Sequence, residues 1–219
     1  MDVNNQFKSD HSNGLVSNEQ PHWTNGLTAE CRMAIKSNRV VVADIIMSED
    51  KVVLRKATLN DLSEVVRICN ESVKLMNAEG NTQWDENYPL ACHFEDDISK
   101  NWLWVAEVNG AVAGFAALTT DQSEEYADVG WDLSEGAIVP HRLATDPAHR
   151  GKSIAVKFMQ MADELAREAG FKYVRVDTNK INIPMQKMFT KQEFVYCGDI
   201  KLKAKPPSMT FVCYQKVLA

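Results

Sequence analysis

Residues 143–155 read Leu-Ala-Thr-Asp-Pro-Ala-His-Arg-Gly-Lys-Ser-Ile-Ala, and the reading of the whole chain turns on this stretch. A strand end, Leu143-Ala144-Thr145, runs into an Asp146-Pro147 turn. From Gly151 to Ala169 the pattern then becomes helical. Ile154, Phe158, Met161, Ala162, Leu165 and Ala169 form one face, and Lys157, Gln160, Glu164, Arg167 and Glu168 the other. Gly170 stands where a C-cap glycine belongs. A helix start exposes unpaired N–H groups and the positive end of its dipole, so such a junction suits a phosphate. Here Arg150, Gly151, Lys152 and Ser153 are read as the first residues of the helix. His149, Arg150, Lys152 and Lys157 add positive charge, and Gly151, Ser153 and Ala155 are small enough for close approach to the backbone.

Two kinds of phosphate loop have to be separated. Gly151-Lys152-Ser153 matches the end of a Walker A loop, and Val174 to Asp177 could pass as a Walker B strand. A P-loop needs a glycine five positions before Gly151, and that residue is Asp146, a carboxylate that would repel the nucleotide. The ATP-binding alternative fails there.

Working outward, Val52 to Leu54 begin a strand; Thr58 and Asn60 offer caps, with Asp61 favourably placed in the first turn, for a helix that ends at Gly80. Leu62, Val65, Val66, Cys69, Val73 and Met76 lie along that helix. A shorter helix is expected around Phe94 to Ser99. Trp102–Val108 and Ala111–Thr119 form a hairpin through Asn109-Gly110, since both residues tolerate the positive φ of a type I′ turn. Ala137 to Thr145 is a strand in which Pro140 argues for an edge, a bulge or a splayed position. After the long helix come a strand, Phe171 to Asp177, and a helix from Pro184 to about Gln192. Two last strands, Phe194 to Ile200 and Met209 to Val217, close the sheet. The order β-α-α-β-β-β-α-β-α-β-β is that of an α/β layered fold with a mixed sheet.

In that order of elements, Arg150-Gly151-Lys152-Ser153-Ile154-Ala155 resembles the coenzyme A pyrophosphate loop of the GNAT acetyltransferase superfamily. Asn182-Ile183-Pro184-Met185, Met188-Phe189 and Lys191-Gln192-Glu193-Phe194 are similar to its second helix motif, and the match in spacing runs over residues 52–217. The resemblance implies a GNAT (acyl-CoA N-acyltransferase) fold, a central twisted, mostly antiparallel sheet flanked by about four helices. It also implies an N-acetyltransferase that uses acetyl-CoA as cosubstrate, with no metal. Leu143, Ala144, Thr145, Arg150 to Ala155, Asn182, Met185 and Phe189 would meet the coenzyme. Direct attack by a primary amine of a small molecule is the implied reaction; a non-catalytic acyl-CoA-binding or sensor domain is the alternative. Three positions depart from the family pattern. Ser153 and Glu193 replace usual glycines, and Phe189 stands where many members carry a tyrosine that protonates the departing thiolate.

An amine is mostly protonated at neutral pH, so a base is required. His141 is the first candidate, two residues before Leu143 and on the same strand face by alternation, with Asp177 the second. The arylalkylamine branch has a histidine at the position of His141, and the catalytic glutamate of the histone-modifying branch matches Val139. The acceptor pocket is expected to use Trp84, Asp85 and Tyr88, whose aromatic faces and carboxylate could surround a cationic amine. Trp102 and Trp104 are read as packing residues.

The remaining features narrow the class. A net charge of −6 argues against nucleic acid as a partner, and Lys201, Lys203 and Lys205 read as a solvated turn. Cys31, Cys69, Cys92, Cys197 and Cys213 are scattered, with no metal or redox spacing, which fits a reducing compartment. No secretory signal is visible, and the longest apolar stretch near the amino terminus, Val40 to Met47, is short of a bilayer span and holds Asp44. A cytoplasmic protein with no membrane partner is expected, with residues 1–50 as an extension, flexible in part, and 51–219 as the catalytic domain. Dimers are frequent in similar proteins, so a homodimer is left open.

Overall fold

The computed structural model describes residues 51–218. The expected extension over 1–50 lies outside the described residues. Seven strands form one mixed sheet in the order β1-β2-β3-β4-β5-β7-β6. They are β1 (Val52–Lys56), β2 (Leu103–Val108), β3 (Ala111–Thr119), β4 (Ala137–Thr145), β5 (Tyr173–Asn179), β6 (Val195–Ile200) and β7 (Phe211–Val217). The α-helices are α1 (Leu62–Ala78), α2 (Ala91–Ser99), α3 (Ile154–Glu168) and α4 (Ile183–Lys191). The element order is the one read from the sequence.

Local chemistry accounts for the joints. Asp61 closes a capping box with the Thr58 backbone N–H (2.8 Å) and hydroxyl (3.0 Å) before α1. Asn109 (φ 52°) and Gly110 (φ 81°) make the expected tight turn between β2 and β3. Strand alternation feeds two layers. Leu103, Val105, Phe115 and Ala117 face α1 and α2, while Ala106, Ala116 and Leu118 face α3. Gly114 lets β3 come close to the start of α3, because a Cβ there would lie 2.9 Å from the Ala144 carbonyl and 3.0 Å from Ile154. Buried Arg175 lies 5.0 Å from the Trp131 ring and donates to the Gln122 side chain (2.5 Å) and the Asp132 carbonyl (3.0 Å). It thereby ties the segment after β3 to the sheet.

The sheet is not continuous at its centre. Parallel pairing of β4 with β5 is limited to Ala137↔Tyr173 and Ile138↔Val174. Beyond those pairs β4 stays with β3 as far as Thr145, and β5 stays with β7 as far as Asn179. The halves part at the carboxyl ends of two parallel strands, where open sheets place their ligands. Register between β3 and β4 shifts between Phe115 and Ala117, so that Phe115 faces Ala144 and Ala117 faces His141. Arg142, at φ 45°, is the residue inserted by this bulge. Pro140 signalled it two residues early.

Candidate functional site

The parted strands open into a cavity of about 400 Å³. Pro140 to Leu143 of β4 and Val176 to Thr178 of β5 form its floor, with Met185 and Phe189 of α4 on one side. The loop after α1 (Gln83, Trp84, Tyr88) and the β6–β7 loop (Leu202, Ala204, Lys205) complete the wall.

His141 and Asp177, paired in the sequence reading only as alternatives, both line this cavity. One correction is structural. The bulge reverses the alternation of β4, so Leu143 packs on the α3 side while Val139 belongs to the opposite cluster. His141 therefore does not share Leu143's face. The two meet in the cleft because the strand edge itself is open. His141 Nε2 lies 3.3 Å from the Asp121 carbonyl, which can only accept, so the proton sits on Nε2 and the lone pair on Nδ1. Burial lowers the histidine's pKa below its ordinary value, and the Asp177 carboxylate works against that shift. Asp177 Oδ1 accepts from Tyr126 Oη at 2.5 Å, and burial together with that carboxylate pushes the tyrosine pKa well up. Tyr126 thus stays a neutral donor.

Arg142 was not singled out in the sequence. Its Nε and Nη2 donate to the two oxygens of Asp97 on α2, at 2.7 and 2.5 Å, and its Nη1 donates to Tyr88 Oη at 3.1 Å. Asp97 is fully buried. This fork locks the bulge, and through it the position of His141, to α2 and to the loop after α1. The signal for Asp97 was legible. It lies three residues after Phe94 and next to Ile98, on the stripe that α2 buries.

The pyrophosphate loop needs a boundary correction. Helix α3 begins at Ile154, with Ser153 as its N-cap in the left-handed region (φ 56°). Arg150, Gly151 and Lys152 precede it. Gly151 is also left-handed (φ 84°), and a Cβ there would meet open space. The unpaired first-turn amides of α3 follow directly on this left-handed turn, the kind of junction that suits an anion. The base of the loop is braced. Buried Asp146 accepts from Ala148 N at 2.8 Å and from Arg67 of α1 at 2.5 Å, which explains the carboxylate that excluded a P-loop. On the facing helix, Asn182 Oδ1 accepts from Met185 N at 3.4 Å and its Nδ2 donates to Thr178 Oγ1 at 3.0 Å, so it caps α4. Ala144 and Thr145 continue β4 beyond the bulge. Past Ile138 no strand among the described residues pairs with the β5-facing edge of β4, which leaves that edge open.

On the acceptor side, Trp84 and Tyr88 line the cavity, but Asp85 does not. Its Oδ1 accepts from Asn87 N (2.7 Å) and Tyr88 N (3.1 Å), the bonds of a local turn. Nor is the Tyr88 face open to a cationic ligand, because Lys205 Nζ already sits 4.3 Å over it. The solvated-turn reading therefore fails for Lys205. Trp102 and Trp104 do pack as expected, under Lys100 (4.7 Å) and Lys56 (4.0 Å) respectively.

Comparison with known proteins agrees with this geometry. Residues 67–194 match the family model for the acetyltransferase (GNAT) family, more than half of the chain. The chain belongs to the GNAT acetyltransferase family. Over 135 residues it is 30% identical to YjgM of Escherichia coli (strain K12), an uncharacterized N-acetyltransferase, covering 58% of this chain and 71% of that one. A GNAT-family acetyltransferase from Streptococcus agalactiae 2603 shares the fold at a TM-score of 0.67 and 26% identity, over 77% of this chain and 96% of that one. The structure of yncA from Salmonella typhimurium, a putative acetyltransferase with its cofactor acetyl-CoA, is similar in fold at a TM-score of 0.57 and 16% identity, covering 77% and 95%.

Seen as a GNAT protein, the chain's departures acquire physical content. Ser153 (φ 56°) and Glu193 (φ 67°) hold the left-handed geometry that a glycine adopts without strain. Phe189, in place of the usual tyrosine, is buried in a ring cluster with Phe194 and Tyr214, at centroid distances of 5.7 and 5.6 Å. It offers the cavity no hydroxyl.

Proposed function

We propose that this GNAT protein is an N-acetyltransferase that moves an acetyl group from acetyl-CoA to a primary amine of a small molecule. The carrying observation is the cleft where β4 and β5 part, whose floor holds His141 with its pKa lowered by burial; a left-handed turn at Gly151 and Ser153 precedes α3. The residues fit the coenzyme. Gly151 leaves open space where a phosphate must approach, and Arg150 and Lys152 flank it with positive charge. When bound, acetyl-CoA supplies a thioester whose carbonyl carbon is the electrophile. It is also the cofactor present in the structure of the Salmonella typhimurium neighbour.

Each residue then has a task. Arg150 and the amides of 151–155 would hold the diphosphate. The open edge of β4 at Leu143–Thr145 would run beside the pantetheine arm and direct N–H dipoles at the carbonyl oxygen as it gains negative charge. Met185 and Phe189 would form the apolar wall, with Asn182 fixing the start of α4. His141 Nδ1 would take the proton of the acceptor ammonium, helped by the nearby Asp177 carboxylate, which favours the imidazolium once formed. The amine nitrogen bonds to the carbonyl carbon as the carbon–sulfur bond breaks, and the second proton on that nitrogen passes to the departing sulfur or to solvent as the amide forms. With no tyrosine at 189 the sulfur leaves as thiolate, tolerable for a group with a pKa of about 8.5.

The test is thiol release from acetyl-CoA across a panel of primary amines. Release that depends on an amine supports the transferase. Tight coenzyme binding with no amine-dependent release would convict this reading and favour a sensor.

A further inference from the structure

The lysines of the β6–β7 loop do not behave alike. Lys201 Nζ donates to the carbonyls of Pro207 and Met209 and to Thr210 Oγ1, each at 2.8 Å, and Lys203 pairs with Glu124 at 2.5 Å. Lys205 turns inward. Its Nζ donates to the Gln83 carbonyl at 2.7 Å, lies over the Tyr88 ring, and forms part of the cavity wall. Among the described residues no carboxylate is recorded within ion-pair distance of it. Burial lowers its pKa, opposed by the more distant Asp85.

The cavity's other cation, Arg142, differs in being matched by Asp97 through two hydrogen bonds. Tyr88 links the pair, with Lys205 on its face and Arg142 at its hydroxyl. One wall of the acceptor space, at Lys205 and Arg142, is therefore cationic with one unmatched charge, while the acids that line the cavity, Asp121 and Asp177, lie with the base His141. A polyamine or a plain alkylamine would bring more positive charge to a half-buried ammonium and leave its desolvation unrelieved. An ammonium has three donors, and only one is spent on Gln83, which leaves two for a carboxylate. A phosphate monoester would bring nearly two negative charges against one unmatched cation. Resting on the transferase reading above, we propose that the acceptor is an amine that also bears a carboxylate, an amino acid in the broad sense, and that Lys205 is the residue that binds the carboxylate.

Matched acceptors test this. α-Amino acids and unbranched ω-amino acids are compared with the amines that lack only the carboxylate, and with O-phosphorylated aminoalcohols, by thiol release with wild type, Lys205→Met and Lys205→Arg. At least one carboxylated series should exceed its plain amine in kcat/KM by about tenfold or more, the scale of one charged hydrogen-bonded contact. In Lys205→Met that ratio should fall below about threefold, mainly through KM, and Lys205→Arg should restore it. Plain amines used as well as the amino acids, a preference for the phosphorylated series, or a ratio untouched in Lys205→Met would each overturn the assignment while leaving the transferase standing. No amine-dependent release from any series, with acetyl-CoA still bound, would remove both together.

Discussion

Replacing Asp97 by Asn asks whether the bulge is held from outside the cleft. The Asp97 side chain is 1% exposed and that of Arg142 16%, and two bonds of 2.7 and 2.5 Å join them. Asn keeps the shape but offers one acceptor and no charge. Removing one partner of a buried pair costs about 3–5 kcal/mol, and retaining one hydrogen bond returns about 1, so a loss of about 2–4 kcal/mol is expected. With a urea slope of about 2 kcal/mol/M, the midpoint should fall by about 1–2 M. Left-handed Arg142 should relax at the same time, which displaces His141 and lowers kcat with little change in coenzyme affinity. The decisive comparison is a double-mutant cycle with Arg142→Met. Because the Met variant has no guanidinium to strand, the two losses should couple by about 2 kcal/mol or more. Additive losses, or a single-variant loss below about 0.5 kcal/mol, would refute the idea that this pair sets the bulge.

The acid limb of kcat/KM should lie below the ordinary histidine value of about 6.5, because burial depresses His141, and activity should rise as pH rises through that limb. His141→Gln should lower turnover and abolish the limb; a parental pH profile in that variant would end its role as base. Glu193→Gly should stabilise the fold by about 0.5–1 kcal/mol, since a left-handed L-residue costs about 1–2 and the more flexible unfolded glycine chain offsets part of it. Thermal melts check this, and a lower Tm would contradict it. Hydrogen bonds from Arg55 hold the Asp61 pKa down to about 2, below its unfolded value of about 3.9. Its contribution, about 1–2 kcal/mol after allowance for the partly exposed Arg55, is therefore present above about pH 4 and lost as pH falls towards 2. Asp61→Asn should flatten urea-derived stability across that window.

Much of the architecture was legible because its signals are local. Helical spacing from Ile154, the Asn109-Gly110 turn and the Thr58 cap each act within a few residues, and each appears where its chemistry required. The start of α3 was misjudged by a few residues because Gly151 and Ser153 bend the chain before it coils. The bulge was half-legible. Pro140 announced an irregularity, but which residue would be inserted depends on the register with β3, a non-local property, and so the face of His141 was misread. Long-range pairings explain the remaining gaps. Nothing near Arg142 in sequence names Asp97, 45 residues away, and nothing near Lys205 names Gln83, 122 residues away. The acceptor pocket was the least legible part, because loops from both halves of the chain build it and a turn consumed the carboxylate of Asp85.

Equilibrium titration with acetyl-CoA and with S-acetylpantetheine, which keeps the thioester but lacks the diphosphate, bears most directly on the helix start at Ile154. Wild type should bind acetyl-CoA far more tightly, and Arg150→Ala should weaken acetyl-CoA by about 1.5–3 kcal/mol while leaving S-acetylpantetheine unchanged. Equal affinities for the two thioesters, or an Arg150→Ala variant with undiminished coenzyme binding, would contradict a diphosphate held by this loop.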